Sequence, residues 1–388
     1  MLKVNRTVWI SALLFCTLSL AAQNKPRARD LGVPFDGKTG ALNAITDVKG
    51  VEVGHTTLIS GAGALKVGVG PVRTGVTAIL PRGKGSRDAV FAGWFNLNGN
   101  GEMTGTHWVE DSGFLDGPVM ITNTHSVGVV RDAVIQWKVK RGDADMEGYW
   151  WSLPVVAETW DGYLNDINGF HVTAQDAIHA LDTAHGGAVE EGNVGGGTGM
   201  ICNEFKGGIG TSSRMVTTKE GTFTVGVLVQ CNYGEREQLR IAGINVGREI
   251  SAPKIWDDDT GSIIVVVATD APLLPTQLKR VARRVALGVG RDGSYSGDGS
   301  GDLFIAFSTA NPRAIAPKGL HQITMMPNGE LDSIFLATVQ ATEEAVINAM
   351  VAAETMTGLN NHKVIALPHD QLRAILKKYN RLGVNAVQ

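Results

Sequence analysis

From Gly50 to Pro81 the chain alternates short apolar runs with glycines, VEVGHTTL and LKVGVGPVRTGVTAIL, a pattern that predicts strands. PVMITNTHSVGVV (118–130) predicts a strand followed by a turn, and Arg131 to Arg141 a helix. Thr173-Ala-Gln-Asp176 has the spacing of a capping box, with Asp at the fourth position. Ile178, Leu181 and Ala184 continue it as a helical stripe, and Gly186-Gly187 ends it. FTVGVLVQCNYG (223–234) is strongly β-like, and SIIVVVAT (262–269) predicts a strand buried on both faces. Residues 276–287 predict an amphipathic helix with Leu278, Val281, Ala282 and Val285 on one face. Lys279, Arg280, Arg283 and Arg284 cover the other face, which reads as solvated, and Gly288 suits a C-cap. LFIAFST (303–309) predicts a further strand. Residues 341–357 and 370–380 predict helices, the second with Leu372, Ile375, Leu376 and Tyr379 inward. Two stretches lack a period. Residues 24–45 read as an arm over the surface, and Phe91 to Gly117 as a long turn-rich loop, a kind that is usually functional. Interleaved strands and helices, without an internal repeat, predict layered sheets and helices of the α/β or α+β class.

The first residues do not belong to that pattern. Lys3 and Arg6 precede an apolar run from Val8 to Leu20, and Ser19-Leu20-Ala21 places small residues at −3 and −1. A run of this length is short for a spanning helix. It predicts a signal peptide over residues 1–21, export to the periplasm, and a mature chain without a membrane anchor. Its removal takes two cations and moves the formal charge from −3 to −5. That balance argues against a broad nucleic-acid-binding face. Glycine, at 49 of 388 residues, is about twice its usual share and has no collagen period, so it marks tight turns and close backbone approaches. Two cysteines remain, Cys202 and Cys231; export permits a disulfide, and two buried thiols are the alternative.

Several motifs fail on context. Gly288-Val-Gly290-Arg-Asp-Gly293 matches G-x-G-x-x-G but follows a helix, where a dinucleotide site needs a strand running into one. Asp292 to Asp302 has the composition of a calcium loop, with Leu303 where the bidentate Glu belongs. H-E-x-x-H and G-x-S-x-G are absent, and no metal or other cofactor is expected. The junction DDDTGSIIVVVAT is more informative. There a charged stretch, Asp257 to Thr260, meets the buried strand at Gly261-Ser262. Cutting the Gly261–Ser262 bond would give Ser262 its own α-amine, of ordinary pKa about 7.7–8.0, to accept its hydroxyl proton. Gly261 tolerates the strained backbone that such a cut requires. From these residues alone, a turn feeding a strand is the plainer reading.

The order of longer motifs goes further. RARDLGVPFDGKTGALNAITDVKGVEVGHTT (27–57), NGNGEMTGTHWVEDSG (98–113), MITNTHSVGVVRDAV (120–134), ETWDGYLNDING (158–169), GNVGGGTGM (192–200), VLVQCNYGEREQL (227–239), GSIIVVVATDAPLLPTQLKRVARRVALG (261–288) and GSGDLFIAFSTAN (299–311) resemble the DmpA-like aminopeptidases. That family contains L-aminopeptidase/D-esterase and the β-peptidyl aminopeptidases. The resemblance implies a four-layer αββα sandwich of the N-terminal-nucleophile type, shared with the ornithine acetyltransferases. It implies a precursor that cuts itself between Gly261 and Ser262 into chains 22–261 and 262–388, which stay together as a heterodimer and assemble as a tetramer of heterodimers. It places Ser262 as nucleophile, Asn232 in the oxyanion hole, and Ser300 and Asp302 beside the nucleophile. Alternation about Gly301 puts those last two on one side of an extended segment. Glu158 matches an acidic residue that receives the substrate's amino group. Trp160 departs from the family, whose members carry Tyr or an aliphatic residue there, so the pocket wall differs. The implied substrates are small peptides, amides and esters with a free amino group, including N-terminal β-amino acids such as β-alanine and L- or D-α-amino acids. Two other readings are an acyltransferase of the same fold, against which the Ser at the junction weighs, and a non-enzymatic periplasmic solute-binding protein made of one uncut chain.

Overall fold

The computed structural model describes residues 25–143, 150–256, 260–316 and 318–383. The proposed signal peptide and residues 257–259 of the charged junction lie outside them. In chain order the elements are β1 (Glu52–Ser60), β2 (Val72–Leu80), β3 (Val90–Gly99), α1 (Thr106–Ser112), β4 (Phe114–Leu115), β5 (Val119–Asn123), α2 (Val127–Lys140), β6 (Val155–Thr159) and α3 (Ala174–Thr183). Then follow β7 (Ile201–Cys202), β8 (Phe205–Lys206), β9 (Gly208–Thr218), β10 (Gly221–Asn232), β11 (Thr260–Thr269), α4 (Pro275–Arg291), β12 (Gly299–Ser308), α5 (Asp332–Val351), β13 (Met356–Thr357), β14 (Lys363–Val364) and α6 (His369–Lys378).

The apolar run in β11 explains the layering. Its odd residues Ile263, Val265 and Val267 belong to one core and its even residues Ile264, Val266 and Ala268 to another. Successive side chains of a strand point to opposite faces, so a run apolar throughout must be covered on both sides. β11 sits inside a six-stranded sheet of order β4-β3-β12-β11-β10-β9, parallel to β12 and antiparallel to β10. On one face Val265, Val267 and Phe304 pack against Val281 and Val285 of α4 and Ala341 and Ala345 of α5. On the other, Ile264, Val266 and Ile305 meet Ile79, Val119 and Ile121 of a four-stranded sheet of order β1-β2-β5-β6. The far face of that second sheet is covered by Val130 and Trp137 of α2 and Ala177 and Leu181 of α3. Three cores between four layers make the αββα sandwich.

Several expectations are corrected. Phe91 to Asn98 is not loop but most of β3, paired with β12 and β4. α4 runs past Gly288 to Arg291, because Gly288 serves contact rather than termination: a Cβ there would lie 2.6 Å from Thr342 Cβ and 2.8 Å from the Val339 carbonyl oxygen of α5. The basic face of α4 is engaged, with Arg284 3.9 Å from the Phe335 ring centre and Lys279 paired to Glu110. α5 starts at Asp332 and ends at Val351, and Met356–Thr357 is a strand. Tyr379 is exposed, and its hydroxyl bonds Glu249. The arm at 24–45 contributes Ala28, Leu31 and Val33 to the core. The capping box forms as expected between Thr173 and Asp176. Cys202 and Cys231 form a disulfide.

Candidate active site

Sheet register brings the nucleophile candidate and its neighbours together. β11 lies between β10 and β12, so Ser262 is opposite Asn232 on one side and Gly301 on the other. Ser262 Oγ accepts a hydrogen bond from the Gly301 N–H at 3.2 Å. Gly261 has φ +150°, and a Cβ there would run into the Asn232 carbonyl oxygen and lie 2.9 Å from Tyr233 Cα. Only glycine fits this backbone and this approach at once. The Asn232 amide is held at both ends: its Oδ1 accepts from Ile201 N–H at 2.7 Å and its Nδ2 donates to the Trp160 carbonyl at 2.9 Å. An amide nitrogen carries two hydrogens, so one remains for a second acceptor.

Ser300 and Asp302 are brought together one strand away. Ser300 Oγ donates to Asp302 Oδ1 at 2.7 Å, and Ser296 Oγ donates to Oδ2. Both residues are buried, their side chains meet each other, and neither lines the cavity that Ser262 faces. Alternation about Gly301 therefore does place them on one side. Ser296 went unseen in the sequence, because its φ of +56° and its contact depend on a turn that folds back onto β12.

Ser262 opens into a cavity of about 440 Å³. Its lining includes Asn232, Gly261 and Ser262 from the six-stranded sheet and Glu158 and Trp160 from β6 and its end. Glu158 is buried; its Oε1 accepts the Glu102 N–H at 2.8 Å and its Oε2 the Thr124 hydroxyl. Burial pushes its carboxyl above the ordinary range, against the pull of those two hydrogen bonds. Trp160 is half-exposed at the mouth, near Tyr163 and Trp256, whose rings meet edge to face at 4.8 Å. Asp161 is pushed up to about 6 by burial, opposed by hydrogen bonds from Thr74, Asn165 and Asn123. Among the described residues the lining contains no lysine, arginine or histidine. Glu102 and Thr124 lie within the motifs at 98–113 and 120–134, but a backbone N–H and a hydroxyl aimed at a carboxylate distant in sequence leave no mark on local pattern. Among the described residues no group of three or more His, Cys, Asp or Glu is placed to hold a metal ion.

Two sheets between helices, with a serine at the head of a central strand beside an amide donor, are the layout of the N-terminal-nucleophile hydrolases. The model of peptidase family S58 matches residues 43–364. The chain is 57% identical over 379 residues to the β-peptidyl aminopeptidase BapA of Sphingosinicella microcystinivorans, covering 94% of this chain and 95% of that protein. It is 50% identical over 386 residues to BapA of Sphingosinicella xenopeptidilytica, covering 95% of each. Among solved structures, the L-aminopeptidase D-Ala-esterase/amidase of Ochrobactrum anthropi, described as a prototype serine aminopeptidase and a variant of the Ntn hydrolase fold, superposes with TM-score 0.88 at 50% identity, over 92% of this chain and all of that one. A Burkholderia sp. β-aminopeptidase superposes with TM-score 0.84 at 45% identity, over 91% and 99%. The chain belongs to peptidase family S58 and is a serine-type aminopeptidase.

Proposed function

We propose that this aminopeptidase is exported, matures by cutting its own Gly261–Ser262 bond, and then releases N-terminal β-amino residues from small peptides and amides through an ester on Ser262. The observation that carries the reading is the position of Ser262: it heads a buried strand, follows a glycine that no other residue can replace, and opens into a cavity with a buried carboxylate. In maturation, Ser262 Oγ attacks the Gly261 carbonyl carbon. The C–N bond breaks, the hydroxyl proton passes to the Ser262 nitrogen, and water then hydrolyses the resulting ester. Gly261 leaves as a carboxylate and Ser262 keeps a free α-amine. In turnover that amine accepts the hydroxyl proton, Asn232 Nδ2 donates to the oxyanion, and Ser300, oriented by Asp302, supports the proton transfer. Glu158 pairs with the substrate ammonium, which confines cleavage to the first residue. The β-amino preference rests on the likeness to the two β-peptidyl enzymes and on Glu158. The two chains remain together as a heterodimer, and four heterodimers form the assembly.

The test is one preparation with two readouts. A denaturing gel of the mature protein is expected to show two bands, matching 22–261 and 262–388; a single band refutes self-processing. kcat/KM for H-βAla-p-nitroanilide is expected to exceed that for H-Ala-p-nitroanilide, with both N-acetyl forms poor. The reverse order would assign the protein to the L/D-aminopeptidase type.

A further inference from the structure

Lys206 is fully buried, and among the described residues no carboxylate lies within ion-pair distance of it. An ammonium removed from water is costly unless every proton finds an acceptor. Here its Nζ donates to the carbonyls of Met200 at 2.7 Å, Gly207 at 2.9 Å and Gly197 at 3.4 Å. Three donors meet three acceptors, and two of these belong to the turn Gly195-Gly-Gly-Thr-Gly-Met200. Such a turn has a large entropy to lose and little side chain to hold it. Its first half is tied by Gly195 N–H to Thr57 Oγ1 at 2.8 Å and Gly196 N–H to Thr77 Oγ1 at 3.1 Å. Its second half is tied by Lys206 and by the Gly207 N–H, which also donates to the Met200 carbonyl at 2.9 Å.

What the turn delivers is the next residue. Ile201 N–H is the donor that fixes Asn232 Oδ1. Ile201 and Lys206 are also directly opposite each other in the β7–β8 pair. The ammonium, the turn, Ile201 and the Asn232 amide thus form one continuous chain of contacts. We infer that Lys206 is a positioning residue for the oxyanion donor: its buried ammonium locks the 197–201 turn so that Ile201 holds the Asn232 amide with Nδ2 toward Ser262. The inference rests on Asn232 being the oxyanion donor. Burial also pushes the amine well below its usual range, so holding it charged there costs stability, and the three carbonyl acceptors work against that cost.

The experiment is a double-mutant cycle of Lys206→Met and Asn232→Ala, read as kcat and KM on H-βAla-p-nitroanilide and as the self-cleavage rate of the precursor. Lys206→Met is expected to lower kcat by about 10- to 100-fold, the scale of a displaced reacting group, with KM within about two-fold. Asn232→Ala is expected to cost about 10²- to 10³-fold. The double variant should then be no worse than Asn232→Ala alone by more than about two-fold, because Lys206 has nothing left to position. Losses that multiply overturn the inference, as does a loss confined to KM or wild-type kcat in Lys206→Met while Asn232→Ala is impaired. Wild-type kcat in Asn232→Ala instead removes the oxyanion assignment, and this inference with it. Lys206→Gln, which keeps a donor for Met200, is expected to recover part of the rate. If the Met and Gln variants both fail to fold, Lys206 serves the fold alone and the inference is wrong.

Discussion

Ser262 and Glu158 face one cavity from two different sheets, and the sheets hold them by different means. On the six-stranded side, position follows from register. Asn232, Ser262 and Gly301 are consecutive across three hydrogen-bonded strands, and the cores on both faces leave β11 no other setting. On the four-stranded side, the carboxylate of Glu158 is placed by one hydroxyl and one N–H from neighbouring segments. Removing the Ser262 hydroxyl from the first wall changes chemistry while the strand register persists. A substitution in the second changes the charge and the shape the substrate meets. The comparison teaches that the reaction and its substrate selection are structurally separable.

The sharpest way to break the comparison is at the junction. Ser262→Ala should give an uncut chain and lower turnover by at least about 10⁴-fold, with only a small fall in melting temperature, since the Gly301 N–H alone loses its acceptor. A cleaved and active alanine variant would put the nucleophile elsewhere. Gly261→Val tests the same wall through geometry. Its side chain would strike the Asn232–Tyr233 backbone, so the precursor should accumulate on a gel time course. Maturation at the wild-type rate would show that the close approach is dispensable.

The opposite wall should respond in selectivity. Glu158→Gln is expected to lower kcat/KM for free-amine substrates by about 10²-fold while leaving N-acetyl substrates nearly unchanged. Equal losses on both would reduce Glu158 to a part of the fold. The sign of its titration sharpens the point. Burial raises the Glu158 pKa, so the proton is held to higher pH in the folded chain than in the unfolded one, and ionising it costs stability as pH rises through that window. The carboxylate that binds an ammonium appears only above the raised pKa. kcat/KM for free-amine substrates should therefore fall on acidification at a pH above the ordinary glutamate range, and Glu158→Gln should lack that limb.

The smallest effect is expected from Thr124→Val. It removes a donor that favours the charged form, so the acid limb should move to higher pH with a loss of only a few-fold at neutral pH. A limb that moved down, or stayed in place, would mean that this hydroxyl does not hold the carboxylate.

Local pattern carried much of the fold. The doubly buried run 262–269, the amphipathic helix begun near 276 and the capping box at Thr173 were all legible, because each depends on residues within a few positions of one another. β3 was not, since only part of its length is buried and its partners, β12 and β4, must be in place first. Nor was the start of α5: its outward positions run Asp332, Leu336, Gln340, and the exposed Leu336 interrupts the polar stripe that would mark that face. Gly288 read as a stop because glycine does end helices, whereas here it admits the close approach of α5.

The site divides the same way. Local spacing put Ser262 at the start of a buried strand and Ser300 and Asp302 on one side of an extended segment, because a strand's period converts spacing directly into direction. The order of longer motifs gave Ser262 its expected role and singled out Asn232, Ser300, Asp302 and Glu158. Tertiary structure alone decided that Glu158 and Ser262 share a cavity, that Glu102 and Thr124 hold the carboxylate, that Ser296 reaches Asp302, and that Lys206 spends its charge on three carbonyls. Each of these joins residues from different elements. Burial and hydrogen-bond partnership across such distances are properties of the packed layers, and no local period encodes them.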